Sequence, residues 1–165
     1  MEALEAFARD RAHAPDVAQC VQAVVRELEP ISVSRHIALS LLPDVDLTRV
    51  WQVVGEASRL KRVIFNLVEN AIRHSPAGAS VTVALEQSGA EILLTVDDQG
   101  PGVPPNLRDT LFEKFTQGMS HQGKGGLGLY FCRMTVERWG GAIGCTPRPE
   151  GGTRFWFRLP EPTKD

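Results

Sequence analysis

The 165-residue chain has 42% hydrophobic and 23% charged residues and a formal net charge of −2. These values fit one globular domain with a sizeable core, and they offer no basic surface for nucleic acid or a membrane. Three cysteines without a CxxC pair argue against a disulfide framework or zinc site and suit a reducing, cytoplasmic compartment. No apolar run reaches the roughly 18 residues of a membrane span, and MEALEAFARDR does not read as a signal peptide.

Residues 1–14 resemble the end of a longer helix or a linker. Pro15 and Asp16 then signal a helix start, and Val17, Val21, Val24 and Leu28 recur at helical spacing. HIALSLL (36–42) alternates like a strand, and RVWQVV (49–54) reads as its neighbour. A long helix follows over 56–74, stopped by Pro76 and Gly78. SVTVALEQ and EILLTVDD form a hairpin with Gly89 at the turn. The loop DQGPGVPP leads into NLRDTLFEKF, and TQGMSHQGKGG reads as a mobile loop with almost no apolar content. LGLYFCRMTVERW is a helix ended by Gly140 and Gly141, and AIGCT and TRFWFRLP are closing strands. The order predicts an α+β fold, a two-layer sandwich whose mixed, mostly antiparallel sheet is covered by helices on one face. Its domain would span 15–161, with a short tail at 162–165.

Three segments carry candidate chemistry. In the long helix, Leu60, Ile64, Leu67 and Ala71 mark an apolar face, while Asn66, Asn70 and Arg73 cluster opposite, with Glu69 on the flank. Asparagine is roughly 0.5 kcal/mol worse than alanine inside a helix, so two of them in register point to a lined pocket as readily as to a solvated face. The Asn70 amide oxygen would suit Mg2+ that carries its own phosphates, and Arg73 could meet a phosphate. Asp98, with Gly100 and Gly102, follows a strand; a tight turn explains it, and so does a carboxylate accepting from the amine of a base that approaches glycine backbone. Asp97 should point to the other face of that strand. GKGGLGL offers backbone N–H groups at a helix N-terminus to phosphates, but it matches neither the P-loop nor GxGxxG spacing and also fits a flexible linker.

In this order the segments resemble the ATP-binding domain of sensor histidine kinases, within the ATPase superfamily that includes gyrase, a heat-shock chaperone and mismatch-repair proteins. NLVENAIRHS looks like the N box, DDQGPGVP the G1 box, LFEKFTQG the F box, GKGGLGLYFCRMTVERWGG the G2 box and GGTRFWFRLP the final glycine-threonine box. The likeness runs over residues 16–160. It implies that Asn70 ligates Mg2+ and that Asn66 and Arg73 face the triphosphate. His74 would replace the usual aromatic near the ribose, and Asp98 would bond the adenine amine in a pocket shaped by Gly100 and Gly102. It further implies that Phe112 and Phe115 anchor a lid over 116–126 and that Gln117 helps hold phosphates or metal. Gly126, Leu127 and Gly128 would form the phosphate-facing turn, and Thr153 would close the pocket. Lys124 stands where the family commonly has glycine, leaving it a further phosphate contact or a solvated lid residue.

Hydrolytic relatives carry a glutamate four residues before the metal asparagine; here that position is Asn66, which cannot act as a base. The resemblance therefore implies transfer of the ATP γ-phosphoryl to a histidine, with Glu69 orienting or deprotonating that histidine or simply exposed. None of His13, His36, His74 and His121 lies in the family's acceptor motif. The expected partners are a dimerisation domain of the same parent kinase, which would make the parent a homodimer, and a response regulator. Two alternatives stand beside this reading. One is an anti-sigma-type serine kinase, a class that usually keeps the glutamate at position 66. The other is a nucleotide-sensing module without catalysis.

Overall fold

A computed structural model describes residues 13–108, 110–113 and 125–162, with the side chains of 125–127 left aside. Asp16 caps the first helix, α1 (Val17–Ser34), its carboxylate accepting from the N–H groups of Ala18 at 2.9 Å and Gln19 at 3.2 Å. The helix α2 (Ala57–His74) starts from Glu56, whose side chain accepts the Ser58 N–H. Between them lies β1 (Ala38–Leu41). The hairpin β2 (Ser80–Ser88) and β3 (Glu91–Asp97) turns at Gly89, whose φ of 62° favours glycine. A single turn, α3 (Pro105–Arg108), precedes α4 (Gly125–Arg138) and the closing strands β4 (Ala142–Pro147) and β5 (Thr153–Pro160).

The five strands form one sheet in the order β1-β2-β3-β5-β4, with β1 parallel to β2 and every other pair antiparallel. Alternation along the strands sends Val81, Val83, Ile92, Leu94, Val96, Phe155 and Phe157 to one face, all of them buried. Against that face pack Val21, Val24 and Leu28 of α1, Leu60, Ile64, Leu67 and Ala71 of α2, and Leu129, Cys132 and Val136 of α4. The predicted one-sided sandwich is the observed one. The apolar stripe at i, i+4, i+7 and i+11 in α2 is wholly buried. Among the described residues no helix is long and apolar enough to cross a membrane.

The expectation of a strand at 49–54 is corrected. Beyond a single bridge between Asp16 and Gln52, this segment belongs to no strand. Its backbone is tied elsewhere: Trp51 N–H donates to the Asp16 carboxylate, Val17 N–H to the Trp51 carbonyl, and Val54 N–H to the Pro160 carbonyl. Trp51, Val53 and Val54 are all buried, so the apparent alternation served a loop wedged between the start of α1 and the end of β5. Phe112 packs edge-on against Phe155 with ring centroids 6.2 Å apart, which pins the chain after α3 to the core.

Candidate nucleotide site

The polar residues of α2 divide their contacts. Asn66 lies against α4, its side-chain amide donating to the Gly128 carbonyl at 3.5 Å. A Cβ added at Gly128 would meet the Asn66 side chain at 3.7 Å, so the asparagine and the glycine-rich helix start are in contact. One turn on, the Asn70 side-chain Nδ2 is buried without a hydrogen-bond partner among the described residues. Glu69 and Arg73 form a half-exposed ion pair at 3.5 Å, an arrangement worth about 0.3–0.5 kcal/mol and readily exchanged for a ligand contact. His74 sits in the last turn with Nδ1 2.7 Å from the Asn70 carbonyl oxygen.

The second half of the site is built around Asp98, just past the end of β3 and 3% exposed. Its Oδ1 accepts from the N–H groups of Gly100 and Thr153, both at 3.0 Å. Its own N–H donates to the Thr153 carbonyl at 2.9 Å. Oδ2 accepts no hydrogen bond among the described residues, which leaves one oxygen of a buried carboxylate free to read a ligand donor. Burial pushes the Asp98 carboxyl up from the usual carboxylate range, against the opposing pull of the Gly100 and Thr153 N–H groups and the charges of His74 and Arg148. The folded chain therefore binds this proton more tightly than the unfolded chain does. The contribution to apo stability is full below the ordinary aspartate pKa of about 3.9 and is lost as pH rises through the raised folded value. The melting-temperature difference between wild type and Asp98→Asn, followed against pH, should narrow toward acid and widen toward neutrality.

Glycines weld these segments together. A Cβ on Gly100 would overlap the His74 carbonyl oxygen, and one on Gly152 would overlap the Asp98 carbonyl oxygen. The end of α2, the loop after β3 and the start of β5 thus meet backbone to backbone, and Gly102 turns the loop with a φ of 87°. Gly100→Ala is expected to lose about 1–3 kcal/mol of stability, because backbone must move to admit the methyl group; denaturant unfolding measures it. Thr153, buried at 3%, acts here through its backbone, clamping Asp98 from both its N–H and its carbonyl.

Of the predicted site residues, the fold brings His74, Asp98, Gly100 and Thr153 together and sets Asn66 beside Gly128. Phe115, Gln117 and Lys124 lie outside the described residues, while for Gly126 and Leu127 only the helical backbone of α4 is described. Asp97 faces away as expected, yet it is not idle: its carboxylate takes Arg154 at 2.7 and 2.8 Å and Arg148 at 3.8 Å. Sequence reasoning passed over Arg148, because TPRPEGG reads locally as a turn and only the β4–β5 register carries it to Asp98. Two of the three thiols are held protonated: burial pushes Cys20 up to about 11 and Cys132 up to about 12.

The residues suit Mg2+ and a purine nucleotide. No group of three or more His, Cys, Asp or Glu side chains able to hold a metal occurs among the described residues. The Asn70 nitrogen, buried without a partner among the described residues, is a hydrogen-bond donor suited to a ligand oxygen. The oxygen of the same amide is the neutral hard group that would suit a cation whose remaining ligands are phosphate and water.

Residues 55–163 match the family model described as histidine kinase-, DNA gyrase B-, and HSP90-like ATPase. The chain is 36% identical over 147 residues to the sensor protein KdpD of Escherichia coli (strain K12), covering 88% of this chain and 16% of that protein. The nucleotide-free catalytic domain of histidine kinase ThkA aligns with a TM-score of 0.79 at 26% identity, covering 89% of this chain and 93% of that one. Full-length ShkA in complex with AMPPNP aligns with a TM-score of 0.75 at 25% identity, covering 92% of this chain and 31% of that one. The chain thus spans a small part of KdpD and nearly all of the ThkA catalytic domain. It belongs to the histidine kinase-, DNA gyrase B- and HSP90-like ATPase family, and its fold and relatives are those of the ATP-binding catalytic domains of sensor histidine kinases.

Proposed function

We propose that this domain binds Mg–ATP and delivers the γ-phosphoryl to a histidine on a separate dimerisation domain of its parent kinase, in the cytoplasm, for relay to a response-regulator aspartate. The observation that carries the reading is the division of labour at Asp98. One oxygen is locked by two backbone N–H groups and the other is left free in a buried site, an arrangement suited to an adenine amine. Full-length ShkA, a protein with this fold over part of its length, is known in complex with AMPPNP, which supports a nucleotide as the ligand.

Asn70 would hold Mg2+, which when bound neutralises phosphate charge and orients the γ-phosphoryl. Arg73 would exchange Glu69 for a phosphate oxygen, and the N–H groups that open α4 would meet the same charge. Asn66 carries an amide where a water-activating glutamate would stand, so the chain supplies no base for hydrolysis at that point. A neutral imidazole needs none: its ring nitrogen attacks phosphorus, the bond to the β-phosphate oxygen breaks, ADP leaves and the ring proton is shed. Glu69, beside Asn70 on the helix, would take or orient that proton.

The test is to mix the domain with a histidine-hairpin fragment of its parent and γ-labelled ATP. Acid-labile, base-stable label on the fragment, dependent on Mg2+, is the expected result. Tight nucleotide binding with no phosphohistidine would instead identify a nucleotide-sensing module, and acid-stable phosphoserine on a partner would identify a serine kinase.

A further inference from the structure

The carbonyl of Asp98 lies past the end of the sheet ladder. The last β3–β5 pair is Asp97 with Arg154, and Gly152 then passes so close to the Asp98 carbonyl oxygen that no Cβ would fit. The partner of that carbonyl is a side chain: Arg148 Nη1 donates to it at 2.7 Å. The same guanidinium lies 3.8 Å from the Asp97 carboxylate and 3.3 Å from that of Glu150, and it donates to the Gly151 carbonyl at 3.4 Å. At 17% side-chain exposure, with four oxygen partners, it is held in place.

From this geometry we infer that Arg148 is a positioning residue for base recognition: it locks the backbone at Asp98 so that the free carboxylate oxygen stays aimed at the purine. The inference rests on the reading of Asp98 as the residue that meets the base. The physical argument concerns freedom. The Gly100 and Thr153 N–H groups hold one side-chain oxygen, but the following backbone, Gln99 to Gly102, carries two glycines and would let the peptide after Asp98 swing. A planar guanidinium that donates to the Asp98 carbonyl and to the hairpin carbonyl of Gly151, and pairs with the Asp97 carboxylate at 3.8 Å, removes that swing. A lysine ammonium keeps the charge but loses the fork. The hairpin between β4 and β5, remote from the site in sequence, thereby takes part in choosing the nucleotide.

Calorimetric titration of ATP and GTP into wild type, Arg148→Met, Arg148→Lys and Asp98→Asn, each with its thermal melt, tests this. Arg148→Met should weaken ATP by roughly tenfold, the equivalent of one charge-assisted hydrogen bond, and lower the ATP-over-GTP preference by a similar factor. Arg148→Lys should recover part of both, and in the phosphotransfer assay the loss should fall on KM rather than kcat. A merely structural arginine would lower the melting temperature and leave the preference of the folded protein untouched; that result overturns the proposal. Should Arg148→Met not fold, Arg148→Lys carries the same readouts, and wild-type affinity and preference in that variant overturn it equally. The two failures are separable. A wild type that binds ATP and GTP alike removes the Asp98 reading itself. A wild type that prefers ATP, with the preference lost in Asp98→Asn but kept in the Arg148 variants, removes only the role of Arg148.

Discussion

Asn70→Ala is expected to reduce phosphoryl transfer by at least about 10²–10³-fold, the loss seen when one preorganised group at a charge-developing centre is removed, and to leave the fold intact. The usual objection to such a variant is that a buried polar residue is removed with its partners. Here the side-chain nitrogen is buried and has no partner among the described residues. Burial of an unsatisfied polar group costs about 1–3 kcal/mol, and alanine is roughly 0.5 kcal/mol better than asparagine within a helix. Both terms favour the substituted protein, opposing the small loss of packing. The apolar face of α2, including nearby Leu67 and Ala71, stays wholly buried and unaltered. The melting temperature without ligand should therefore hold or rise, while the Mg2+-dependent part of ATP binding and label transfer to the histidine fragment disappear. Full transfer by this variant would show that the metal is held by another residue, and a collapsed melting temperature would show that Asn70 is structural.

Asp98→Asn should weaken ATP by about 1.5–3 kcal/mol, the range of a hydrogen bond to a charged group, and at the same time narrow the preference for ATP over GTP. The geometry fixes which way the new amide turns. Two N–H donors, from Gly100 and Thr153, point at one side-chain position. The amide oxygen must take that position, because the NH2 there would face donors with donors. The NH2 is then left where Oδ2 pointed, toward the ligand. An adenine amine meets a donor and is repelled, whereas the carbonyl oxygen of guanine meets a donor and is bonded. Isothermal titration with both nucleotides reads this directly. Unchanged ATP affinity would mean that the purine sits elsewhere.

Much of this molecule was legible in local spacing because local spacing is what helices and strands respond to. The stripe of Leu60, Ile64, Leu67 and Ala71 declared the buried face of α2, and alternation in β2, β3 and β5 declared which residues would meet it. The segment 49–54 shows where that logic stops: Trp51 and Val53 alternate like a strand, but the hydrogen bonds that decide the matter come from Asp16 and Pro160. A strand is defined by its neighbour, and the neighbour is not in the local sequence. Asp97 and Asp98 illustrate the same limit more sharply. Alternation separated their faces, yet nothing local could say that one would collect Arg148 and Arg154 while the other would keep a single oxygen free.

The sequence by itself determined the kinds of chemistry present: two amides in register on one helix, a carboxylate at a strand end among glycines, a glycine-rich entry to a later helix, and the missing glutamate at position 66. Only the tertiary structure decided their mutual placement. It set Asn66 against Gly128, Thr153 against Asp98 and Arg148 under the loop that follows β3. Those contacts join residues 62, 55 and 50 positions apart. Separations of that size are fixed by sheet register and by helices packing on a shared core, and short-range periodicity carries no information about either.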